Sequence, residues 1–217
     1  MHGIIAIDPG ARTFATGYDA EGGMIEWGAG DDRRLQRLCA HYDDLRKRWK
    51  APGISRARRY KMRRAGARMQ LKVRNLVNDA HRRLARWLCE NYRVVLLPEF
   101  RTSEMVRKWD KLKPVGRQKR RINSKTARSM LTWAHHRFRQ RLLATAREHP
   151  SCKVIICDEV YTTRTCGRCG CTRAAFGGKT FTCNPEDGRM SCGFVTDRDY
   201  NGARNVLLRY LTLNAVR

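Results

Sequence analysis

The sequence predicts a mixed α/β layer fold with a helical insertion and a small cysteine-rich knuckle. Three observations predict it. Short apolar runs bounded by turn residues recur near residues 3–8, 14–19, 24–27, 93–97 and 154–160, the pattern of strands in a partly buried sheet. Between the third and fourth runs, apolar residues recur every three to four positions, which is helical spacing. Five of the nine cysteines crowd between residues 166 and 192.

Taken in order, Gly3 to Asp8 is an apolar run that ends in a carboxylate before Pro9-Gly10, a buried strand stopped by a turn. Phe14 to Asp19 and Met24 to Trp27 extend it into a three-stranded meander over residues 1–30. Leu35, Leu38, Tyr42, Leu45 and Trp49 then mark an amphipathic helix that ends before Pro52-Gly53. A second helix carries Val73, Leu76, Val77, Ala80, Leu84, Trp87 and Leu88 on one face, so residues 31–92 read as a basic insertion of two antiparallel helices. Residues 93–163 return to the sheet. Arg93 to Leu97 is a strand broken by Pro98, residues 101–123 are an exposed basic loop, and Val154 to Val160 is a further strand. Between them, Ser124 is the expected N-cap of one helix bearing Ala127, Leu131, Ala134, Phe138 and Leu142 and ending near Pro150. The knuckle occupies residues 164–195, and a closing helix from Asn201 to Leu211 lies within residues 196–217.

Charge narrows the function. The 217 residues hold 46 Lys and Arg against 20 Asp and Glu, a formal charge of +26. A compact chain with that surplus repels itself unless a polyanion neutralises it, and nucleic acid gains further from counterion release. A membrane is the rival polyanion, but no apolar run approaches the roughly 18 residues that span a bilayer. The N-terminus lacks the charged and apolar regions of a secretory leader. An intracellular protein is expected, nuclear in a eukaryote and otherwise in the cytoplasm or nucleoid. The basic residues concentrate at Arg56, Arg58, Arg59, Lys61, Arg63, Arg64, Arg68 and Lys72 on the front of the second helix. Acidic partners at i,i+4 are nearly absent there, which favours contact with phosphate over a merely solvated face.

Cysteines in such a compartment are expected as thiols. Cys39, Cys89, Cys152 and Cys157 fall on apolar stretches and read as core. Cys166 and Cys169 have the two-residue spacing that grips one tetrahedral Zn²⁺ from a tight turn. Cys183 and Cys192 supply the second pair, with eight residues between them, and Cys171 is the competing ligand. A full set of thiolates with no open position makes one structural zinc the expectation.

The stretch Cys192-Gly193-Phe194-Val195-Thr196-Asp197-Arg198-Asp199-Tyr200-Asn201-Gly202-Ala203-Arg204-Asn205 resembles the last RuvC motif of the TnpB, Fanzor and type V CRISPR effector family, in which a zinc knuckle runs into DRDxNxAxN. Ile5-Ala6-Ile7-Asp8-Pro9-Gly10 resembles the family's first motif, and Tyr161-Thr162-Thr163-Arg164-Thr165-Cys166-Gly167-Arg168-Cys169-Gly170 is similar to its YTSxTCxxCG. The resemblance spans essentially the whole chain and implies an RNase H-like (RuvC) fold and a metal-dependent DNA endonuclease of an RNA-guided system. Two Mg²⁺ ions, or Mn²⁺, would be held by carboxylates, with Asp8 the first ligand and Asp199 the last. Asp197 would orient the turn. The middle acid departs from the TnpB pattern, because the Glu expected seven residues before Met105 is replaced by Pro98. Glu99 is one residue out of step, and one step along a strand reverses the side chain. The Fanzor branch is the closer resemblance, through Asp158-Glu159-Val160-Tyr161, and makes Glu159 the middle ligand in preference to Glu99.

Members of the family that cleave under guidance carry a wedge and recognition region before the first motif, which here begins at residue 4. Target DNA and a guide RNA are the expected partners, with another chain or segment supplying the guide-binding region. The alternative is a truncated, catalytically weak or inactive relative that binds nucleic acid without cutting it. A transcription-type zinc ribbon would explain the cysteines but neither RuvC motif.

Overall fold

The computed structural model describes residues 2–107, 122–158, 162–174, 178–186 and 188–215. Strands β1 (His2–Pro9), β2 (Ala15–Asp19) and β3 (Met24–Trp27) form the expected antiparallel meander, followed by helices α1 (Asp31–Lys50) and α2 (Arg56–Asn91). Strand β4 (Tyr92–Pro98), the short helix α3 (Thr102–Met105), helices α4 (Ser124–Trp133) and α5 (His135–Glu148) and strand β5 (Lys153–Cys157) come next. Strands β6 (Thr180–Thr182) and β7 (Val195–Asp197) pair in the cysteine-rich region, and helix α6 (Arg198–Ala215) follows.

The five-stranded sheet has the order β3-β2-β1-β4-β5. β4 lies parallel to both β1 and β5, with Ala6 beside Leu96 and Leu96 beside Ile155. Side-chain alternation along a strand then sorts residues by parity. Ile5, Ile7, Val95 and Leu97 face a large core made with Leu35 of α1, Val77, Leu84 and Leu88 of α2, Trp133 of α4, and Phe138 and Leu142 of α5. Ala6, Leu96, Ile155 and Cys157 face Val206, Leu207 and Tyr210 of α6. Helices therefore cover both faces. Each fully buried aliphatic side chain stabilises this arrangement by roughly 1.5–3 kcal/mol.

The helical insertion is a hairpin. At 1.5 Å per residue, the 36 residues of α2 extend about 54 Å. Its second half enters the core through Val77, His81, Leu84, Ala85 and Leu88, whereas residues 56–75 bury only Gly66. The basic front of α2 thus projects beyond the sheet and packs against α1, where Gly66 meets Tyr42 and Trp49.

The single helix expected from Ser124 to Pro150 is instead two. Ala134 adopts φ 51°, a left-handed conformation that ends α4 and starts α5. Trp133 anchors the break, its indole N–H donating to the Ala11 carbonyl at 3.0 Å and its own carbonyl meeting His81 Nε2 at 2.8 Å. The break changes the helix phase, so Leu131, read as a core residue, is exposed, and Met130 is buried in its place. The N-cap is Asn123, whose side chain accepts from Thr126 N, rather than Ser124. Residues 102–105, read as loop, form the turn α3. The Arg117–Arg121 run lies outside the described residues.

Around the break, Phe14 stacks between His81 and His135, with Trp133 and Phe138 beside it. Burial pushes His81 down to about 4 and His135 to about 3 from the ordinary 6.5. Both rings are neutral in the folded chain at neutral pH. Below about pH 6.5 the unfolded chain takes up protons that the folded chain refuses, so stability falls as pH drops toward about 4 and is fully present above 6.5. Each histidine makes this loss up to about 1.4 kcal/mol per pH unit. Urea midpoints measured at about pH 7 and about pH 5 are expected to fall accordingly, and His81→Leu is expected to remove roughly half of the drop.

Candidate functional site

Asp8 stands one residue before the end of β1, on the even-numbered face covered by α6. Its carboxylate lies against the first turn of that helix. A Cβ at Gly202 would meet Asp8 Oδ2 well inside van der Waals contact, and would also reach Thr163 Cγ2 at 3.8 Å. Asp199 stands three residues before Gly202, hence next to it on the helix surface, since i,i+3 positions are neighbours about 5–6 Å apart. The fold thus brings Asp8 and Asp199 to one place, at the carboxyl end of β1 and the amino end of α6. Asp197 occupies the N-cap of α6, its Oδ1 accepting from Asp199 N at 2.8 Å. That bond fixes the turn from which Asp199 projects. The Asp199 side chain is 22% exposed and pairs with Arg198 at 3.2 Å, a contact that adjacent charges in the sequence could have suggested.

The middle strand differs. Two residues beyond the paired Ala6 and Leu96, Pro98 comes level with Asp8 on the α6 face, and Cys157 is its neighbour on β5. Glu99 takes the opposite parity. It is exposed, accepts from Arg101 at 2.8 Å, and lines a cavity of about 360 Å³ with His135, His136 and Arg139. The Arg101 guanidinium holds its carboxyl below the usual range. Asp158 binds Arg209 of α6 at 2.7 Å. Glu159 lies outside the described residues.

Cys166, Cys169, Cys183 and Cys192 converge. Cys166 and Cys192 Sγ are 3.6 Å apart, Cys169 and Cys183 Sγ 3.7 Å apart, and all four lie within 4.8 Å of one another. A tetrahedral ion with Zn–S near 2.3 Å places its sulfurs about 3.8 Å apart, so this donor set is compatible with a zinc site. Backbone N–H groups support the sulfurs: those of Cys169 and Arg168 at Cys166, Cys171 at Cys169 and Phe194 at Cys192. Hydrogen bonding from Cys171 draws the Cys169 thiol down to about 6, while burial pushes Cys166 up to about 12. Cys171 is not one of the four. It is buried behind them, and its carbonyl accepts from Cys166 N at 2.8 Å. Phe181 and Phe194 supply a small apolar core beneath the sulfurs. The short β6–β7 pair brackets the second cysteine pair, β6 ending just before Cys183 and β7 following Cys192.

Asn201 and Asn205 of α6 hold this knuckle in place. Gly167 N donates to Asn201 Oδ1 at 3.0 Å, Asn201 Nδ2 to the Thr165 carbonyl at 2.8 Å, and Asn205 Nδ2 to the Thr162 and Thr165 carbonyls at 2.8 and 2.7 Å. Sequence reasoning gave neither residue a role, although two asparagines one helical turn apart were a visible signal.

Arg56, Arg58, Lys61, Arg63, Arg64, Arg68 and Lys72 are exposed and Arg59 half-buried on the projecting part of α2. Among the described residues none of them meets a carboxylate, whereas the acids further along, Asp79 and Glu90, pair with Arg82, Arg83 and Arg86. Arg64 lies over the Tyr60 ring, 5.8 Å from its centre.

With Co²⁺ as the probe, the four-sulfur set predicts a thiolate-to-metal absorption band that Cys183→Ser weakens and Cys171→Ser leaves in place. An equal loss in Cys171→Ser would make Cys171 a ligand.

A profile described as Cas12f1-like, TNB domain, matches residues 135–206. The chain is 31% identical to the putative transposase A625R of Paramecium bursaria Chlorella virus 1 over 98% of its own length and 44% of that protein. It is 24% identical to the TnpB-like protein L79 of Acanthamoeba polyphaga mimivirus over 93% of its length and 36% of that protein. It thus spans less than half the length of these relatives. Its fold matches a Cas12f1 chain, solved as a complex with sgRNA and target DNA, with a TM-score of 0.59 and 15% identity, covering 94% of this chain and 49% of that one. CasPhi-2 (Cas12j), solved with crRNA and phosphorothioate-DNA, matches at 0.50 and 13% identity, over 96% and 45%. Among the described residues no helix is long and apolar enough to cross a membrane. The motif residues thus gather at two sites of an α/β fold like that of the Cas12f1 chain, and the likeness to TnpB-like proteins, to putative transposases and, over residues 135–206, to the Cas12f1-like TNB domain supports a TnpB-family member.

Proposed function

We propose that this chain is the RuvC-type nuclease part of an RNA-guided DNA endonuclease, cleaving phosphodiesters with two divalent ions, Mg²⁺ or Mn²⁺. The observation that carries the reading is the meeting of Asp8 with the helix turn that bears Asp199. Two half-buried carboxylates at a strand end form a hard oxygen donor set that suits Mg²⁺. Ions bound there would activate water and steady the leaving oxygen. The residues of the chain do the positioning: Asp197 caps the helix, and Gly202 lets Asp8 approach.

Glu159 is the middle ligand in this reading, and Glu99 is not. Pro98 fills the position level with Asp8, and Glu99 turns to the other face, where Arg101 engages it. In the sequence Glu159 continues the odd-numbered series of Ile155 and Cys157, the β5 residues that pack toward α6. The four cysteines hold one structural zinc. The projecting front of α2 lies along phosphates of a guide–target duplex, whose A-form backbone can be read by charge and shape without sequence. The Cas12f1 and CasPhi-2 chains were solved with both nucleic acids, which supports guide RNA and target DNA as the partners. The guide-binding region would correspond to the length of the longer relatives outside the part matched here. Pro98 also favours a second reading, a relative that binds nucleic acid without cutting it.

Cleavage of labelled single-stranded DNA in Mg²⁺ separates these readings. Asp8→Ala, Asp199→Ala and Glu159→Gln each remove several kcal/mol of charge stabilisation and are expected to slow cleavage by about a thousandfold or more. Glu99→Gln is expected to stay near the wild-type rate. Loss in Glu99→Gln with activity kept in Glu159→Gln reverses the assignment. Tight, salt-dependent binding without cleavage by any form of the protein supports the second reading.

A further inference from the structure

Asn201 and Asn205 are 2% and 5% exposed on one face of α6, one turn apart. Buried amides need partners, and these two make four hydrogen bonds to three backbone groups of residues 162–167. The same segment leads into the first cysteine pair. Gly167 sits between Cys166 and Cys169, and a Cβ there would come within 2.9 Å of Asn201 Oδ1, 3.0 Å of Arg204 Nη1 and 3.2 Å of Asn205 Oδ1. Its bare backbone is therefore what lets the cysteine turn rest on the helix. Thr163 of the segment reaches Gly202, where Asp8 also lies. Residues 162–167 are thus wedged between the sulfur cluster and the carboxylate pair, bonded to the helix that serves both.

We propose that Asn201 and Asn205 are positioning residues that clamp the knuckle to α6, so that filling of the four-cysteine site and placement of the Asp199 carboxylate are coupled. A metal held by the sulfurs stabilises the turn at residues 166–171, because the free energy of binding at such a site is free energy of folding. The stabilised turn presents the Thr165 carbonyl and Gly167 N–H that the amides need. Through those bonds the first turn of α6 is seated over Asp8. Coupling of this kind is reciprocal, and the amides therefore also retain the metal, as outer partners of metal ligands do. The part concerning Asp199 rests on the nuclease reading, whereas the part concerning metal retention does not.

The test is zinc release from the zinc-loaded full chain into excess chromogenic chelator, followed by steady-state cleavage. Asn205→Ala and Gly167→Ala are expected to release zinc about tenfold or more faster than wild type. Asn205→Asp, which turns a carboxylate toward two carbonyls, is expected to be at least as fast. Asn201→Asp keeps the acceptor for Gly167 N–H but loses the donor to Thr165, and is expected to fall between. Gly167→Ala retains every hydrogen-bonding group and checks the result if an asparagine variant fails to fold. In cleavage, the variants and chelator-stripped wild type are expected to lose kcat with little change in KM for DNA. Zinc release at the wild-type rate overturns the clamp, and fast release with full kcat overturns its coupling to Asp199. A zinc-loaded wild type that cuts nothing would count against the nuclease reading alone, with the release rates still deciding the clamp.

Discussion

The first turn of α6 passes so close over the end of β1 that Asp8 Oδ2 occupies the space a side chain at Gly202 would need. Much of the molecule serves that approach. The sheet register puts Ala6, Leu96 and Ile155 under Val206 and Leu207, which sets how deeply the helix sits. Asp197 starts the helix, and Asn201 and Asn205 tie its outer side to the knuckle. On the opposite face, the aromatic cluster around Phe14 fixes the turn that follows Asp8, since Trp133 donates to the Ala11 carbonyl. Asp8 is thereby set against the helix segment that follows Asp199, whose carboxylate pairs with Arg198 at 3.2 Å.

The helix hairpin and the knuckle extend outward from this centre in different ways. The front of α2 has no core of its own, and its exposed arginines lack carboxylate partners among the described residues. Its stability comes from packing on α1 and from the buried second half of the same helix. A charged, weakly anchored arm suits a surface completed by a polyanion. The knuckle depends on its sulfurs, on Phe181 and on the clamp to α6. The front of α2 is joined to the core through the second half of the same helix, and the knuckle through its hydrogen bonds to α6.

Strand and helix order were legible because strong local patterns coincide with burial. The apolar run ending at Asp8 and the heptad-like series in α2 each match a single kind of element. The break at Ala134 was not legible, because no Gly or Pro marks it. Tertiary hydrogen bonds of Trp133 to Ala11 and His81 impose it, and neither partner is near in sequence. β6 and β7, three residues each, are too short to show a period. At the candidate site, the identities of Asp8, Asp199 and the clustered cysteines stood out as residue types, and the displacement of Glu99 could be counted from Met105. What counting could not show is that Pro98 comes level with Asp8 and that Glu99 turns toward His136 and Arg139. Nor could it reveal the clamp, since asparagines on a helix acquire meaning only from the backbone they meet.

The most direct measurement is Mn²⁺ binding followed by electron paramagnetic resonance in the wild type and Gly202→Ala. Alanine is the better helix former by about 1 kcal/mol, so the substitution leaves the helix intact while its methyl group displaces the Asp8 carboxylate. If Asp8 and Asp199 form one divalent-metal site, Gly202→Ala binds Mn²⁺ at least about tenfold more weakly with no loss of thermal stability beyond that of the displaced contact. Equal Mn²⁺ affinity in the two proteins would contradict the account, because the carboxylates would then not depend on the approach that brings them together.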